Sequence, residues 1–352
     1  MHSRILVGLL SAAFLSVLPS AGALAQTSNV CTSPAQKLDE KGFVEIGGIP
    51  QWVTIKGERC DNPIVLIVHG GPGNPMSPFS DVIYGGWEKD YTVVQWDQRG
   101  AGMTWGKNRP SEDTPLTIDQ MRDDGVDVAR YLTQHLGQRK VILLGGSWSS
   151  ILAVHMIKAE PDLFYAYLGW AQMVSYRDNL PATYTRLLDM ARLAGDQDSI
   201  TKLEGIGAPP WTNPRNFGIL RRIDRKYEGL ATDPAPAHWW QRAPDYATPQ
   251  AQEDYTAGED YSYIQFVGWK GDGMFSQVDL PALGTEFKVP VFLLQGEADY
   301  LTVPEISRGY FDSLMAPVKA FVLLPRTGHD PNSIMVDAKL KLLNEKIRPL
   351  AD

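Results

Sequence analysis

The sequence predicts an α/β protein with a mostly parallel central sheet and helices on both faces. Continuous apolar, β-branched runs are typical of strands buried on both faces. Such runs occur at residues 63–68, 92–96, 141–144, 166–171, 289–295 and 320–324. Helical segments alternate with the earlier runs, which favours parallel strands joined by right-handed crossovers. From about residue 175 to residue 283 this alternation stops, so we expect a unit inserted into the core.

The elements follow one another in a consistent order. Two short runs joined by a pair of glycines, Phe43–Ile46 and Trp52–Ile55, predict a hairpin ahead of the parallel strands. Residues 117–120 have the spacing of a capping box, and an apolar stripe continues from there to Gly137. A second helix follows the run at 141–144. These patterns predict a core formed by residues 26–174 and 284–352.

Residues 175–283 are predicted to form a helical lid over the core. This segment is rich in proline, tryptophan and tyrosine, lacks a long β-branched run, and contains helix-like pieces such as residues 180–193. Trp239 and Trp240 are candidates to line an apolar substrate pocket. We expect the acidic residues at 253–260 to be solvated. If a lid carboxylate binds a substrate amine, the candidates are this stretch and Glu204.

Ser147 is the candidate nucleophile. It lies where the apolar run at 141–144 enters a helix, in the sequence Gly145-Gly146-Ser147-Trp148-Ser149. A serine at such a tight strand-to-helix turn is exposed at the carboxyl edge of the sheet, provided that small residues flank it two positions away. Gly145 and Ser149 meet that requirement. A buried serine in an ordinary turn is the alternative interpretation of this short motif.

A glycine-rich loop follows the first buried strand. The run at 63–68 leads into His69-Gly70-Gly71-Pro72-Gly73, where the backbone is bare. Acyl transfer needs N–H donors where negative charge develops on the carbonyl oxygen. Proline has no N–H, so the candidate donors are the N–H groups of Gly71 and Trp148. Without the serine, this loop would be interpreted as an ordinary tight turn.

A serine hydroxyl needs a base within reach and a carboxylate that orients the base. Of the six histidines, His329 follows the strand at 320–324 and can reach Ser147 across the carboxyl edge. Asp299 lies after the preceding strand and is the predicted orienting acid, with Glu297 as the alternative. The chain order serine, aspartate, histidine is typical of α/β-hydrolases. The sequence therefore predicts the α/β-hydrolase fold.

The motifs together resemble the proline iminopeptidase (prolyl aminopeptidase) family of α/β-hydrolases. The resemblance covers about residues 40–170 and 285–350, and it depends on the segments His69–Gly73, Trp96–Gly102, Gly145–Ser149 and Gly328-His329. It implies a catalytic triad of Ser147, Asp299 and His329, with an oxyanion hole formed by Gly71 and Trp148. It also implies that the Asp97-Gln98-Arg99-Gly100 stretch forms a turn braced beside the active site.

The sequence departs from the family pattern at three points. Thr104 replaces the usual serine after the DQRG stretch, and Ser149 replaces the second glycine of the nucleophile motif. Family aminopeptidases use lid glutamates to hold the free amine of the substrate, and their motif cannot be aligned with any stretch of this chain. The resemblance therefore supports hydrolase chemistry more directly than it supports exopeptidase activity.

Length, composition and charge limit the possible functions. The 352 residues, 43% of them hydrophobic, are enough for one large core with an insertion. The net charge is −8, and removing residues 1–25 makes it −9 because this segment contains Arg4 and no acidic residue. Such a surface repels phosphate backbones, so nucleic acid is not an expected partner. A short peptide or small molecule with a free amine is the expected substrate.

Residues 1–25 have the pattern of a cleavable signal peptide. A positive charge at Arg4 precedes an apolar run, and small residues end at Ala25, after which we predict the cut. The apolar run is shorter than the roughly 20 residues of a membrane helix, so an uncleaved anchor is the lesser alternative. We expect a secreted or periplasmic protein with no stable membrane insertion after cleavage. In that compartment Cys31 and Cys60 are predicted to form a disulfide, the alternative being two unlinked thiols.

The sequence thus predicts an exported serine hydrolase that needs no cofactor and no metal. Our preferred prediction is an aminopeptidase that releases N-terminal proline or small apolar residues from short peptides or amides through an acyl-enzyme. A carboxylesterase or lactonase with the same triad is the close alternative. A non-catalytic ligand receptor on the same fold is a third possibility.

Overall fold

A computed structural model describes residues 29–111 and 113–351. The predicted signal peptide of residues 1–25 lies outside this part of the chain. The predicted α/β class is confirmed, because a mostly parallel sheet forms the centre of the protein. In the described residues the sheet has eight strands in the order β1-β2-β4-β3-β5-β6-β7-β8. They are β1 (Leu38–Ile46), β2 (Ile49–Gly57), β3 (Ile64–Val68), β4 (Thr92–Asp97), β5 (Val141–Ser147), β6 (Phe164–Gln172), β7 (Val291–Gly296) and β8 (Lys319–Leu324).

Strand direction brings the candidate site residues to one edge of the sheet. The predicted hairpin is confirmed as β1 and β2, which pair antiparallel, and β2 also pairs antiparallel with β4. From β4 through β3 to β8, all neighbouring strands are parallel. The carboxyl ends of β3, β5, β7 and β8 therefore meet at the same edge. Those ends lead into the glycine loop, Ser147, Asp299 and His329.

Helices connect the strands and form the inserted unit. They are α1 (Ser80–Tyr84), α2 (Gly102–Lys107), α3 (Ile118–Leu136), α4 (Trp148–Ala159), α5 (Tyr176–Ala194), α6 (Gln197–Ile206), α7 (Pro214–Ala231), α8 (Pro249–Val267), α9 (Pro304–Ser313), α10 (Ser333–Leu342) and α11 (Arg348–Ala351). Short 3₁₀ turns occur at Ser77–Phe79, Gly85–Trp87, Pro161–Leu163, Ala237–Trp240, Pro244–Tyr246, Met274–Gln277 and Pro281–Leu283, and a π-helical turn at Leu343–Ile347 joins α10 to α11. Within the described residues, no helix is both long enough and apolar enough to span a bilayer.

The predicted caps of helix α3 are present. The side chain of Thr117 accepts a hydrogen bond from the backbone N–H of Gln120, as a capping residue should. At the other end, Gly137 has a φ of 65°, the left-handed conformation that ends many helices. Both ends of this helix are therefore predicted correctly from local sequence.

Both faces of the sheet are buried. In strand β3, Leu66 and Val68 belong to the apolar cluster under helices α3 and α4, whereas Val65 and Ile67 belong to the cluster under helices α1 and α10. Alternate side chains of a strand point to opposite faces, so a strand covered on both sides must be apolar throughout. This explains the continuous β-branched runs.

Residues 175–283, which we call the lid, leave the core and return to it at adjacent points. The N–H of Tyr176 donates to the carbonyl of Val278, and the N–H of Leu280 donates to the carbonyl of Val174. Between these points lie helices α5 to α8. Because the two ends of the lid are held together, the core sheet is continuous on either side of the insertion.

Cys31 and Cys60 form a disulfide in the structure, with their Cα atoms 5.8 Å apart. The bond fixes the segment ahead of β1 to the loop between β2 and β3. Of the two sequence alternatives, linked and unlinked thiols, the structure has the linked pair.

Candidate active site

Ser147 lies on a sharp turn between β5 and α4. Its φ of 57° and ψ of −127° are unusual for a residue with a side chain. Such strained backbone persists only where the surrounding structure fixes it, and it is frequent at active sites. Strand and helix approach closely here, because a Cβ atom on Gly145 would lie 2.5 Å from the carbonyl oxygen of Ser149. The turn therefore needs glycine at position 145 and presents the hydroxyl at the sheet edge.

Ser149 braces this turn. Its hydroxyl accepts a hydrogen bond from the N–H of Gly146 at 2.8 Å and lies 2.7 Å from the carbonyl oxygen of Val68, to which it can donate. Val68 is the last residue of β3, directly before the glycine loop. The residue that departs from the family motif thus links the turn at Ser147 to the start of the glycine loop.

Ser147, His329 and Asp299 form a hydrogen-bonded array. Nε2 of His329 is 2.8 Å from Oγ of Ser147. On the other side of the ring, Nδ1 is 3.2 Å and 3.3 Å from the two carboxylate oxygens of Asp299. Glu297, the alternative acid, is exposed. The geometry selects Asp299 and leaves Nε2 free to accept the proton of the hydroxyl.

Asp299 is fully buried and well supplied with donors. Its carboxylate accepts the N–H of Leu301 at 3.1 Å, the N–H of Thr302 at 2.7 Å and the side-chain amide of Gln295 at 2.9 Å, and it also accepts the hydroxyl of Thr302. Burial alone would raise its pKa, but the charge and hydrogen bond of His329 and the bonds from Thr302 hold the pKa below its usual range. The acid therefore stays ionised and can orient the imidazole.

The glycine loop supplies bare backbone beside Ser147. A Cβ atom on Gly70 would lie 3.6 Å from the Cβ of Ser147, and Gly71 has a φ of 112° that favours glycine. Among residues 29–111 and 113–351, the N–H of Gly71 makes no backbone hydrogen bond in the loops and turns, and Trp148 is the first residue of α4, where an N–H group has no acceptor within the helix. These two predicted oxyanion donors are thus available to a ligand.

Gln98 of the DQRG stretch connects the loop to the helix behind Ser147. Its N–H donates to Nε2 of His69, its side-chain amide donates to the carbonyl of His69 at 2.7 Å, and its side-chain oxygen accepts the indole N–H of Trp148 at 3.0 Å. Burial lowers the pKa of His69 to about 4. This histidine is therefore neutral and structural, and both of its ring nitrogens are occupied because Nδ1 faces the carbonyl of Gly70 at 2.9 Å.

Thr104 fulfils the bridging role that a hydroxyl has at this position. It donates to the carbonyl of Asp97 at 2.6 Å and accepts the N–H of Trp52 at 2.8 Å. Arg99 of the same stretch pairs with buried Asp124 at 2.8 Å. The DQRG stretch is therefore a braced turn. Threonine in place of serine keeps the hydroxyl group that makes the contacts with Asp97 and Trp52.

The three predicted lid residues have different surroundings. Glu204 is half exposed and pairs with Arg192 at 2.9 Å on the lid surface. Trp239 is buried in the apolar cluster under α1 and α10, and Trp240 is 50% exposed with its ring edge-on to Phe79. The expectation that the acidic stretch at 253–260 is solvated is wrong for Asp254, which is buried and pairs with Arg109.

Helix α7 of the lid brings an unpredicted cluster to the triad. Oε1 of buried Glu228 accepts the backbone N–H of His329 at 3.0 Å. One turn earlier, fully buried Asp224 pairs with Arg221, which is also 3.8 Å from Asp330. In sequence, this i, i+3, i+7 arrangement of charges is typical of a solvated helix face, so no local signal pointed to burial.

Burial raises the pKa of both lid carboxyls. For Glu228 burial and the nearby charges of Asp224 and Asp299 raise the pKa to about 9, although Arg221 opposes them. For Asp224 burial raises the pKa to about 6, while Arg221 and His329 lower it. At neutral pH the first is thus protonated and the second is mostly ionised. Within the described residues, no group of three or more His, Cys, Asp or Glu side chains is arranged to hold a metal ion.

Comparison with known proteins gives consistent matches. The model of a family described as "Alpha/beta hydrolase family" matches residues 65–339. The chain is 29% identical over 298 residues to the "Probable aminopeptidase YbaC" of Bacillus subtilis, a match that covers 82% of this chain and 90% of that protein. It is 28% identical to a proline iminopeptidase of Clostridioides difficile, covering 87% of this chain and 97% of the relative. The predicted resemblance is confirmed by these relatives.

Solved structures show the same fold. A crystal structure of the proline iminopeptidase of Mycobacterium smegmatis superposes with a TM-score of 0.56 at 18% sequence identity, covering 88% of this chain and 97% of that one. At this level of identity the likeness concerns the fold alone.

Proposed function

From the premise that the chain belongs to the alpha/beta hydrolase family, we propose that it is an aminopeptidase acting on short peptides or amides with N-terminal proline or small apolar residues. Its relatives support an enzyme of the serine hydrolase type. The observation that carries the proposal is the contact of 2.8 Å between Nε2 of His329 and Oγ of Ser147, with Asp299 on the far side of the ring. Two long matches to relatives named as aminopeptidases favour peptides over esters.

The proposed reaction has two stages. Oγ of Ser147 attacks the scissile carbonyl while Nε2 of His329 accepts the hydroxyl proton, and Asp299 stabilises the imidazolium. The N–H groups of Gly71 and Trp148 bind the oxygen that becomes negative. As the tetrahedral intermediate collapses, His329 donates its proton to the leaving amine and an acyl-enzyme forms. Water then attacks the ester of the acyl-enzyme while His329 accepts its proton, and His329 returns that proton to Oγ of Ser147 as the free amino acid leaves.

We propose Asp224 as the lid carboxylate that binds the amine of the substrate. Its Oδ2 pairs with Arg221, whereas Oδ1 is buried and has no hydrogen-bond partner among the described residues. Buried carboxylate oxygens rarely lack a partner, and an ammonium group would supply one. The pKa of Asp224, raised to about 6 by burial, leaves it ionised at neutral pH. Glu204, by contrast, is already paired on the exposed surface of the lid.

Matched substrates test the proposal. Hydrolysis of proline-β-naphthylamide, absent in S147A, is the expected result. Turnover of p-nitrophenyl esters with none of the amide would instead favour the esterase or lactonase alternative. A folded protein whose Ser147 does not react with a fluorophosphonate probe would favour a ligand receptor.

A second comparison tests the role of Asp224. D224N is expected to raise KM for the aminoacyl amide by roughly tenfold or more, because a charged hydrogen-bond partner is lost, while kcat/KM for a neutral ester stays unchanged. E204Q is the matched control and should behave like the wild type with both substrates. Equal losses on amide and ester would contradict amine binding by Asp224.

We further propose that the protein is exported, with residues 1–25 removed after Ala25. The disulfide between Cys31 and Cys60 supports an oxidising compartment, since such bonds are rare in reducing ones. N-terminal sequencing of the protein recovered from its native host tests this proposal. A mature chain that starts at Gln26 is expected, and a chain recovered with Met1 in the cytoplasm would contradict it.

A further inference from the structure

Glu228 of helix α7 joins the lid to both loops that carry the acid and the base. Its Oε1 accepts the N–H of His329 at 3.0 Å and the N–H of Tyr300 at 3.3 Å. Tyr300 directly follows Asp299 in the chain. One buried oxygen atom of the lid therefore holds the backbone on both sides of the hydrogen bond between Asp299 and His329.

The contact between α7 and the histidine loop is close and continues past Glu228. A Cβ atom on Gly328 would lie 3.1 Å from the carboxyl carbon of Glu228. Asp233 lies two residues after α7. Its backbone N–H donates to the carbonyl of Arg326 at 2.9 Å, and its backbone carbonyl accepts the side-chain amide N–H of Asn332 at 3.0 Å. The loop of residues 326–332 is thus held along its length by lid residues 228–233.

The core alone does not fix the histidine in the same way. Thr302 and Gln295, both core residues, hold the carboxylate of Asp299. The backbone N–H of His329, by contrast, donates to Glu228, which is a lid residue. We propose that Glu228 is a positioning residue that keeps the imidazole of His329 in line between Asp299 and Ser147, so that catalysis depends on the docking of helix α7. This inference rests on the proposed catalytic roles of these three residues.

The charges around Glu228 indicate the protonation state in which it acts. Asp224 and Arg221 face it from α7, Asp299 from the loop after β7, and Asp330 and His329 from the loop after β8. Burial raises the pKa of Glu228 to about 9, so the carboxyl is neutral at pH 7.5. A neutral carboxyl accepts the two N–H bonds without placing a second negative charge beside Asp299. We therefore expect the side chain of glutamine to replace it.

The experiment compares E228Q, E228L and the lid control E204Q, with p-nitrophenyl acetate as a substrate that has no amine. At pH 7.5 we expect kcat of E228Q within about fivefold of the wild type, because an amide oxygen still accepts both bonds. For E228L we expect kcat to fall by roughly 10- to 100-fold with little change in KM, since a small displacement of a catalytic base has effects of this size. The rate of fluorophosphonate labelling at Ser147 should fall in parallel.

The pH profile separates positioning from a purely structural role. Above a pH of about 9 the wild type should lose activity as Glu228 ionises between Asp299 and Asp224. E228Q cannot ionise and should keep its activity over that range. Profiles that coincide for the two proteins, or an E228L protein as active as the wild type, would overturn the inference.

Two further variants keep the test decisive. If E228L does not fold, as judged by circular dichroism, E228D takes its place, because its shorter side chain keeps the carboxyl but cannot reach both N–H groups. A loss of kcat in E228D is expected, and activity equal to that of the wild type would overturn the inference. S147A distinguishes the two levels of proposal. If S147A is active, the proposed function is refuted. If S147A is inactive and E228L is fully active, only the positioning role of Glu228 is refuted.

Discussion

Lys339 of helix α10 is buried without a polar partner, and we predict that its replacement by methionine stabilises the protein. The side chain is fully buried in the apolar cluster under α1 and α10, and its Nζ has no hydrogen-bond partner among the described residues. Nζ lies 3.3 Å from the centre of the Trp170 ring. Burial lowers the pKa of Lys339 well below its ordinary value of 10.5.

The size of the effect follows from the proton that folding must release. In the unfolded chain the amine is charged below about pH 10.4, and each pH unit over which the folded amine stays neutral costs about 1.4 kcal/mol. At pH 7.5 that cost reaches about 4 kcal/mol if the folded amine is neutral throughout the range. The ring face of Trp170 favours a charged amine and offsets part of this cost. We therefore expect K339M to raise the free energy of unfolding by about 1–4 kcal/mol at pH 7.5.

Urea denaturation at two pH values measures the effect. Because the folded-state pKa is the lower one, the contribution of the lysine to stability is complete above about pH 10.4 and is lost as the pH falls toward the folded-state value. Between pH 7.5 and 9.5 the advantage of K339M should shrink by up to about 2.7 kcal/mol. K341M, on an exposed position of the same helix, is the matched control. A K339M protein less stable than the wild type, or an advantage that does not vary with pH, would refute this reasoning.

Three other perturbations have expected outcomes. D299N should fold normally and lose roughly 10³- to 10⁴-fold in kcat for ester hydrolysis, because the ring of His329 loses the acceptor that fixes its tautomer. A loss below about tenfold would be incompatible with the proposed role of Asp299. S149G should lower the free energy of unfolding by about 1–2 kcal/mol, because the hydroxyl bonds that brace the nucleophile turn disappear, and an unchanged melting temperature would show that they contribute little. The double variant C31S/C60S removes a disulfide that closes a loop across a sequence separation of 29. Its free energy of unfolding, measured by heat or urea, should fall by about 3–4 kcal/mol. Equal stability would mean that the bond does not restrict the unfolded chain.

The core of the candidate site could be predicted because its geometry follows from local rules. Buried parallel strands are recognisable as apolar runs, and their carboxyl ends meet at one edge whatever the details of packing. Ser147, Asp299 and His329 each follow such a strand, so their order along the chain was sufficient to bring them together. The same reasoning chose Asp299 over Glu297, and the structure has Asp299 within hydrogen-bond distance of His329 at 3.2 Å.

The lid contacts could not be predicted in this way. Glu204 and Glu228 are both lid glutamates in amphipathic helices with a basic residue nearby, yet the first is solvated and the second is buried against a loop 101 residues away in the chain. What distinguishes them is the docking of α7 on the core, and neither periodicity nor spacing contains that information. The neighbouring tryptophans differ in the same way, since Trp239 is buried in packing and Trp240 is half exposed.

The glycine loop illustrates how lid and core constrain each other. In the sequence its glycines are explained by the bare backbone that a substrate carbonyl requires. In the structure a Cβ atom on Gly73 would lie 2.8 Å from the Cβ of Ser262 and 2.9 Å from the Cα of Glu259, both in lid helix α8. The absence of a side chain at position 73 is therefore required by the docking of the lid. Helix α8 packs on the glycine loop at Gly73 and helix α7 holds the loop that carries His329, so the lid contacts both of the loops that lie beside Ser147.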